Sequence, residues 1–130
     1  MSQLRVLYVD DEPDIREIAA LALGLDPEIV VDVAASGAEA LGKLREPGAR
    51  PDVIMLDVMM PGMDGPAVRE ALRAEPATAD IPVVFITARA QTQDRERLLQ
   101  LGAVAVIAKP FDPMMLAREL RAVLVKEPLA

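Results

Sequence analysis

Residues 53–57 read Val53-Ile54-Met55-Leu56-Asp57, four apolar side chains followed directly by a carboxylate. Similar short runs of mostly branched apolar residues recur at residues 4–9, 29–33, 83–86 and 104–107. Each run has the length of a β-strand, and none shows the regular apolar–polar alternation of a half-exposed strand. The sequence therefore predicts five strands buried on both faces, the third of them at residues 53–56.

Segments with helical periodicity separate these runs and predict amphipathic helices. The positions expected to face the sheet are Ile15, Ile18, Ala22 and Leu25, then Ala40, Leu41 and Leu44, then Ala67, Val68, Ala71 and Leu72. A further helix is expected at about residues 91–101, where a polar opening is followed by apolar anchors only at Leu98, Leu99 and Leu101. We expect that helix to be loosely docked and able to shift.

Two helix starts carry a local signal. Ser36 followed by Glu39 three residues later forms a capping box, in which each residue satisfies a free backbone N–H group. Asp112 before Pro113 is typical of a cap followed by a first-turn proline. The last helix is expected to run from about residue 113 to 126.

Strands that alternate with helices five times predict a (βα)₅ layout, an α/β doubly wound parallel sheet with right-handed crossovers. No Gly, Pro or Ser-rich linker and no internal repeat divides the chain. We therefore expect residues 1–130 to form a single domain with a core at about residues 4–126. Because only residues 127–130 would follow the last helix, no separate effector domain is expected.

Composition excludes several classes of chemistry. The 130 residues contain no cysteine and no histidine, so thiolate metal sites, disulfides and histidine general bases are ruled out. With 21 acidic and 14 basic residues the net charge is −7, which argues against direct binding to nucleic acid. The N-terminus shows no cationic leader and no long apolar stretch, so a cytoplasmic protein without membrane insertion is expected.

Polar residues follow four of the predicted strands. They are Asp10 and Asp11 after the first, Asp57 after the third, Thr87 after the fourth and Lys109 after the fifth. In open α/β sheets, ligands bind outside the carboxyl ends of the strands, so these side chains should converge. The sequence therefore predicts one site at this edge of the sheet.

Three carboxylates at one site would repel each other and raise their pKa values unless a cation binds between them. Oxygen ligands favour a hard ion, and a site with few protein ligands suits Mg²⁺ better than Ca²⁺. A metal ion, Lys109 and a hydroxyl donor around Asp57 would form a receptacle for a phosphoryl group in transfer. Asp57 is then the expected nucleophile.

Four stretches resemble, in order and spacing, the receiver domains of bacterial response regulators. They are Val9-Asp10-Asp11-Glu12-Pro13, Met55-Leu56-Asp57-Val58-Met59-Met60-Pro61-Gly62-Met63-Asp64-Gly65, Ile86-Thr87-Ala88-Arg89-Ala90 and Ala108-Lys109-Pro110-Phe111. Each motif alone is weak, but the four together span essentially the whole chain. The resemblance implies a flavodoxin-like sheet order of 2-1-3-4-5, which periodicity alone does not fix.

The resemblance also implies roles for the acidic residues. Asp57 is expected to be the phosphoacceptor and Asp11 a direct Mg²⁺ ligand. Asp10 is expected to act on the metal largely through water, and Met59 to supply only its backbone carbonyl.

Further roles follow for the residues opposite the acids. Thr87 is the expected hydroxyl partner of the phosphoryl group, and Lys109 its ion-pairing cation. A cis peptide is expected before Pro110, and the small Ala88 is expected to keep the pocket open.

One position departs from the family pattern. Many receivers carry Tyr or Phe three residues before the site lysine, and this chain carries Val106 there. The output face of helix 4, strand 5 and helix 5 is therefore expected to be apolar, and the chain to be a monomer or weak dimer. A constitutive adaptor with a weak phospho-switch remains an alternative.

The resemblance predicts a signalling switch and not an enzyme, beyond self-catalysed phosphoryl transfer. Its partners would be a histidine kinase or phosphotransfer protein and an unknown downstream protein. The competing interpretation is a small Mg²⁺-dependent phosphatase with an aspartyl-phosphate intermediate. Such enzymes usually place an acid two residues after the nucleophile, where this chain has Met59.

Overall fold

The computed structural model describes residues 3–48 and 50–125. Strands and helices alternate along the chain in the order β1 (Leu4–Val9), α1 (Pro13–Gly24), β2 (Ile29–Ala34), α2 (Gly37–Arg45), β3 (Val53–Asp57), α3 (Gly65–Arg73), β4 (Val83–Thr87), α4 (Thr92–Gln100), β5 (Ala105–Ala108) and α5 (Leu116–Val125). All neighbouring strands pair in parallel, in the order β2-β1-β3-β4-β5. Both the (βα)₅ layout and the flavodoxin-like order are confirmed.

Helices cover both faces of the sheet and create two cores. On one face, residues of β1, β3 and β4 pack with Ala40 of α2, Val68 of α3 and Leu98 of α4. On the other face, the strands pack with Leu23 of α1 and Leu120 of α5. Burial on both faces explains why the strands read as nearly continuous apolar runs.

The face that α1 buries differs from the expectation. Ile18 is 41% exposed and Leu25 is 61% exposed, whereas Ala19, Ala22 and Leu23 are buried. The two stripes overlap at Ala22 and have similar helical spacing, so the pattern of apolar residues does not distinguish between them. The small side chains of Ala19 and Ala22 let α1 approach the sheet closely.

The anchors of α4 also differ from the expectation. Only Leu98 is buried, while Leu99 is 43% exposed and Leu101, the residue that follows the helix, is 39% exposed. One buried side chain attaches this helix to the core less firmly than the three that the sequence predicted. The expectation of loose docking gains support from this difference.

The predicted capping box at Ser36 is confirmed, whereas Asp112 caps a turn before α5 and not the helix itself. Ser36 Oγ accepts a hydrogen bond from the Glu39 N–H group at 3.0 Å, and Glu39 Oε1 accepts one from the Ala35 N–H group at 2.7 Å. Asp112 Oδ1 accepts from the Met114 N–H group at 2.9 Å, but Pro113 begins a turn and α5 itself begins at Leu116. The expected end of α5 at residue 126 lies outside the described residues.

Both edge strands have a carbonyl group that accepts a hydrogen bond from a cation on an adjacent helix, which follows the strand in β2 and precedes it in β5. Lys43 Nζ of α2 donates to the Val33 carbonyl oxygen of β2 at 2.8 Å. Arg95 Nη1 of α4 donates to the Val106 carbonyl oxygen of β5 at 2.8 Å. Capping a free edge carbonyl removes an acceptor to which another strand could pair.

Among the described residues, no helix is both long and apolar enough to cross a bilayer.

Candidate functional site

The carboxyl ends of the strands bring the predicted site residues together. Asp57 ends β3 and is paired in register with Ile86, and Thr87 ends β4 beside Ala108. Asp10 directly follows β1, and its backbone N–H group still bonds to β2. The convergence that the sequence predicted at this edge is therefore present in the structure.

Lys109 is the cation at the centre of the site. Its Nζ atom lies 3.1 Å from Asp10 Oδ2, 3.4 Å from Asp57 Oδ2 and 3.3 Å from Glu12 Oε1. One ammonium group therefore serves three carboxylates. Glu12 lies within a quoted motif, but the sequence reasoning gave it no role.

Asp10, Asp11 and Asp57 form an acidic cluster in which one oxygen from each lies within 4.8 Å of the others. Asp10 is fully buried and Asp57 is 4% exposed, whereas Asp11 is partly exposed. Like charges this close repel strongly where water is largely excluded.

The pKa values of the site reflect both burial and that repulsion. Burial and the neighbouring charge of Asp10 raise the pKa of Asp57 from its ordinary value of 3.8 to about 7, although Lys109 opposes the change. Burial would lower the pKa of Lys109, but its hydrogen bond to Asp10 and the charges of Asp10 and Asp57 outweigh burial and raise it. The site thus has more negative charge than Lys109 alone can balance.

The loop after Asp57 is held tightly against the strand. The Gly65 N–H group donates to the Val58 carbonyl oxygen at 2.9 Å, and Asp64 caps α3 by accepting from the Ala67 N–H group at 2.9 Å. A Cβ atom on Gly65 would lie only 2.8 Å from the Asp57 carbonyl oxygen. Glycine is therefore required there to keep the start of α3 close to the end of β3.

An opening of about 540 Å³ leads to the acids. Its polar wall contains Asp11, Asp57 and Lys109, and its apolar wall is formed by Ile15, Ile18, Met59, Ala88, Pro110, Phe111 and Pro113. The Met59 side chain is 68% exposed, and the Lys109–Pro110 peptide bond is cis, as the resemblance implied. The exposed Ala88 places no large side chain over the opening.

Thr87 links the site to the loop that follows β4. Its side chain is almost fully buried, and its Oγ1 atom accepts a hydrogen bond from the Arg89 N–H group at 3.0 Å. A change in the orientation of this hydroxyl group would therefore alter the conformation of the loop.

Arg95 is a residue whose position the sequence reasoning missed. Besides its bond to Val106, its Nε atom donates to the Ala90 carbonyl oxygen at 3.0 Å. The side chain thus connects the loop after Thr87 to β5, at the position where many receivers place an aromatic residue. The contact joins residues eleven positions apart, so no local pattern signals it.

Tyr8 is the second missed residue. It is fully buried, and its hydroxyl group donates to Asp10 Oδ2 at 3.0 Å. Burial first, and then the charge of Asp10 and this hydrogen bond, raise the pKa of Tyr8 well above its ordinary range. Side chains two positions apart in a strand point to the same face, so the spacing of Tyr8 and Asp10 was a usable signal.

The chemistry of the donor set fits Mg²⁺. Three carboxylates supply only oxygen ligands, and they are close enough to share one ion. Burial and the charge of Asp10 raise the pKa of Asp57, and the charge of a divalent ion would oppose both effects. Asp10, Asp11 and Asp57 are the residues that could hold it.

A buried carboxylate opposed by a lysine at the carboxyl edge of a flavodoxin-like sheet is the arrangement that the resemblance to receiver domains implied. Residues 6–121 match the family described as the response regulator receiver domain, and the chain belongs to that family.

Relatives and solved structures agree with this assignment. The chain is 41% identical over 123 residues to the phosphate regulon transcriptional regulatory protein PhoB of Escherichia coli (strain K12), and the match covers 92% of the chain and 51% of PhoB. It is 38% identical to the DNA-binding response regulator MtrA of Mycolicibacterium smegmatis, covering 91% of the chain and 49% of MtrA. The chain therefore spans about half the length of these relatives.

The structure of the chemotaxis response regulator CheY4 of Vibrio cholerae matches over nearly its full length. The TM-score is 0.83 at 34% sequence identity, covering 94% of this chain and 99% of the CheY4 chain. The structure of the bacteriophytochrome response regulator AtBRR matches with a TM-score of 0.78 at 29% identity, covering 100% of this chain and 99% of the other.

Proposed function

We propose that Asp57 accepts a phosphoryl group from a histidine kinase or a phosphotransfer protein in a Mg²⁺-dependent reaction. The observation that carries the proposal is the setting of its carboxylate. Asp57 borders the 540 Å³ opening, shares an acidic cluster with Asp10 and Asp11, and lies 3.4 Å from the Lys109 ammonium group.

The transfer exchanges one bond to phosphorus for another. An Asp57 carboxylate oxygen forms the new bond to phosphorus, while the bond from phosphorus to the donor's imidazole nitrogen breaks. The imidazole leaves with the bonding electron pair and takes a proton from solvent.

Residues around Asp57 stabilise the charge on the transferred group. Lys109 pairs with one phosphoryl oxygen, and the Thr87 hydroxyl group donates to another. Bound Mg²⁺, held by Asp11, Asp57 and the Met59 carbonyl and by Asp10 through water, would neutralise further charge on the phosphoryl oxygens.

The signal leaves the site through the loop after β4. When the Thr87 hydroxyl group turns towards the phosphoryl group, it loses the hydrogen bond that it accepts from the Arg89 N–H group. The Arg95 side chain, which belongs to α4, transmits the resulting loop movement to β5. It does so because it donates to the Ala90 carbonyl oxygen of the loop and to the Val106 carbonyl oxygen of β5. A helix with Leu98 as its one buried side chain can follow such a movement.

The partner surface is the face formed by α4, β5 and α5. A groove of about 470 Å³ lies along it, lined by Arg95, Val106, Met115, Val123 and their neighbours. PhoB is described as a transcriptional regulatory protein and MtrA as a DNA-binding response regulator, and both extend well beyond the matched region. We therefore do not assign DNA binding to these 130 residues. The net charge of −7 favours a protein partner instead.

Phosphorylation is tested directly by intact mass. The protein is incubated with acetyl phosphate, with and without Mg²⁺, beside Asp57→Asn and the matched control Asp80→Asn, whose aspartate is exposed and outside the site. We expect a Mg²⁺-dependent gain of one phosphoryl group in the wild type and the control only. Absence of that gain would refute the proposal and leave a constitutive binding module.

A further inference from the structure

Tyr8 combines full burial with a direct contact to the acidic site. Its ring packs in the core that α1 and α5 cover, and its hydroxyl group bonds to Asp10, which is also fully buried. A buried tyrosine hydroxyl group needs a hydrogen-bond partner, and here the partner is one of the three clustered carboxylates.

The hydrogen bonds of Asp10 show what this contact does. Asp10 Oδ2 accepts from the Tyr8 hydroxyl group at 3.0 Å and lies 3.1 Å from Lys109 Nζ. Asp10 Oδ1 accepts from the Glu12 N–H group at 3.0 Å. Three donors therefore fix both oxygens of one buried carboxylate, two from residues near it in the chain and one from Lys109 after β5.

Lys109 brings one positive charge to three carboxylates. It faces Asp10, Asp57 and Glu12, and the contact to Asp57 is the longest of the three. The Tyr8 hydroxyl group is a neutral second donor to the oxygen of Asp10 that Lys109 also contacts. Without the Tyr8 hydroxyl group, Lys109 would be the only donor to that oxygen of Asp10. Asp10 would then draw the ammonium group away from Asp57.

We infer that Tyr8 is a positioning residue of the acidic site, which orients Asp10 and leaves Lys109 available to Asp57. The inference rests on the proposed function, since it assigns Tyr8 a part in cation binding and phosphoryl transfer. Tyr8 touches neither the metal nor the phosphoryl group and acts only through Asp10 and Lys109.

Tyr8→Phe keeps the ring and removes the hydroxyl group. We expect Mg²⁺ affinity, measured by calorimetry, and the rate of labelling by acetyl phosphate each to fall by about tenfold, because a hydrogen bond to a charged group contributes about that factor or more. Val6→Ala is the matched control, since Val6 lies in the same strand and the same core without contacting the acids. It should lower stability and leave Mg²⁺ affinity unchanged.

The sequence also provides a spectroscopic readout. Tyr8 is the only tyrosine and there is no tryptophan, so tyrosine emission of the folded protein reports on this one hydroxyl group. Because a cation at the acids changes the electrostatic field at that hydroxyl group, we expect a saturable change of emission with Mg²⁺ that Asp57→Asn strongly weakens.

Two results would overturn the inference. One is a Tyr8→Phe protein that loses stability but keeps the wild-type Mg²⁺ affinity and labelling rate, since Tyr8 would then only fill the core. The other is tyrosine emission that does not respond to saturating Mg²⁺. If the wild type binds Mg²⁺ and shows the emission change but is never labelled, the proposed phosphoryl transfer fails while the positioning of Asp10 stands.

Discussion

Replacing Asp57 by asparagine should stabilise the metal-free protein at alkaline pH. The carboxylate is 4% exposed, and its burial first, then the charge of Asp10, raises its pKa to about 7. Above that pH the metal-free protein holds an ionised group in an unfavourable environment. Asparagine has nearly the same shape and removes the charge.

The sign and size follow from proton binding. The folded protein binds the Asp57 proton more tightly than the unfolded chain does, so the free energy of unfolding falls as pH rises from about 4 to about 7. One pKa unit corresponds to about 1.36 kcal/mol, so a rise from 3.8 to about 7 sets an upper limit of roughly 4 kcal/mol. We expect Asp57→Asn to be more stable than the wild type by about 1–4 kcal/mol near pH 8.

Urea denaturation with a chelator present, at several pH values, measures this difference. The advantage of Asp57→Asn should shrink as pH falls towards about 4, where the wild-type group is protonated. Mg²⁺ should stabilise the wild type more at alkaline than at acidic pH, because only the ionised carboxylate is a ligand. Asp80→Asn should show neither effect. An Asp57→Asn protein less stable than the wild type in chelator near pH 8 would refute the reasoning.

Two further substitutions probe the surroundings of the site. Gly65→Ala should lower stability by about 1–3 kcal/mol, because its Cβ would meet the Asp57 carbonyl oxygen at 2.8 Å and the Val58 Cα at 3.0 Å. Gly42→Ala, in the exposed part of α2 with nothing within 4 Å, should be neutral or stabilising by denaturation. Arg95→Ala should accelerate amide exchange in α4, since it removes both bonds to backbone carbonyl groups.

Each of these results has a counter-outcome. If Gly65→Ala changes stability no more than Gly42→Ala does, the close packing between α3 and the end of β3 does not require glycine at position 65. Arg97→Ala, on an exposed position of the same helix, controls for loss of charge alone. Equal exchange in the Arg95 and Arg97 variants, or α4 proving the most protected helix of the wild type, would remove the basis for a movable α4.

The sequence predicts the strands and the site acids well because both depend on local chemistry. A strand buried on both faces needs a short apolar run, and the carboxyl edge needs a polar residue directly after it, as in residues 53–57. Sheet order depends on which strands pair at long range, so it came from the family resemblance. The face of α1 was mispredicted because Ile18 and Leu25 are apolar yet exposed, and periodicity alone does not say which apolar stripe the sheet selects.

The contacts that sequence reasoning missed share a physical origin. Arg95 bonds to a carbonyl group on another element, and Tyr8 bonds to an acid that was assigned to a metal. A motif names the residues that perform the chemistry, but the number of donors each acid receives depends on the packed structure. Lys109 brings only one positive charge to Asp10, Asp57 and Glu12. Because a buried carboxylate must be hydrogen-bonded or neutralised, the remaining negative charge is stabilised by a neighbouring donor such as Tyr8, by a proton on Asp57 or by a bound cation.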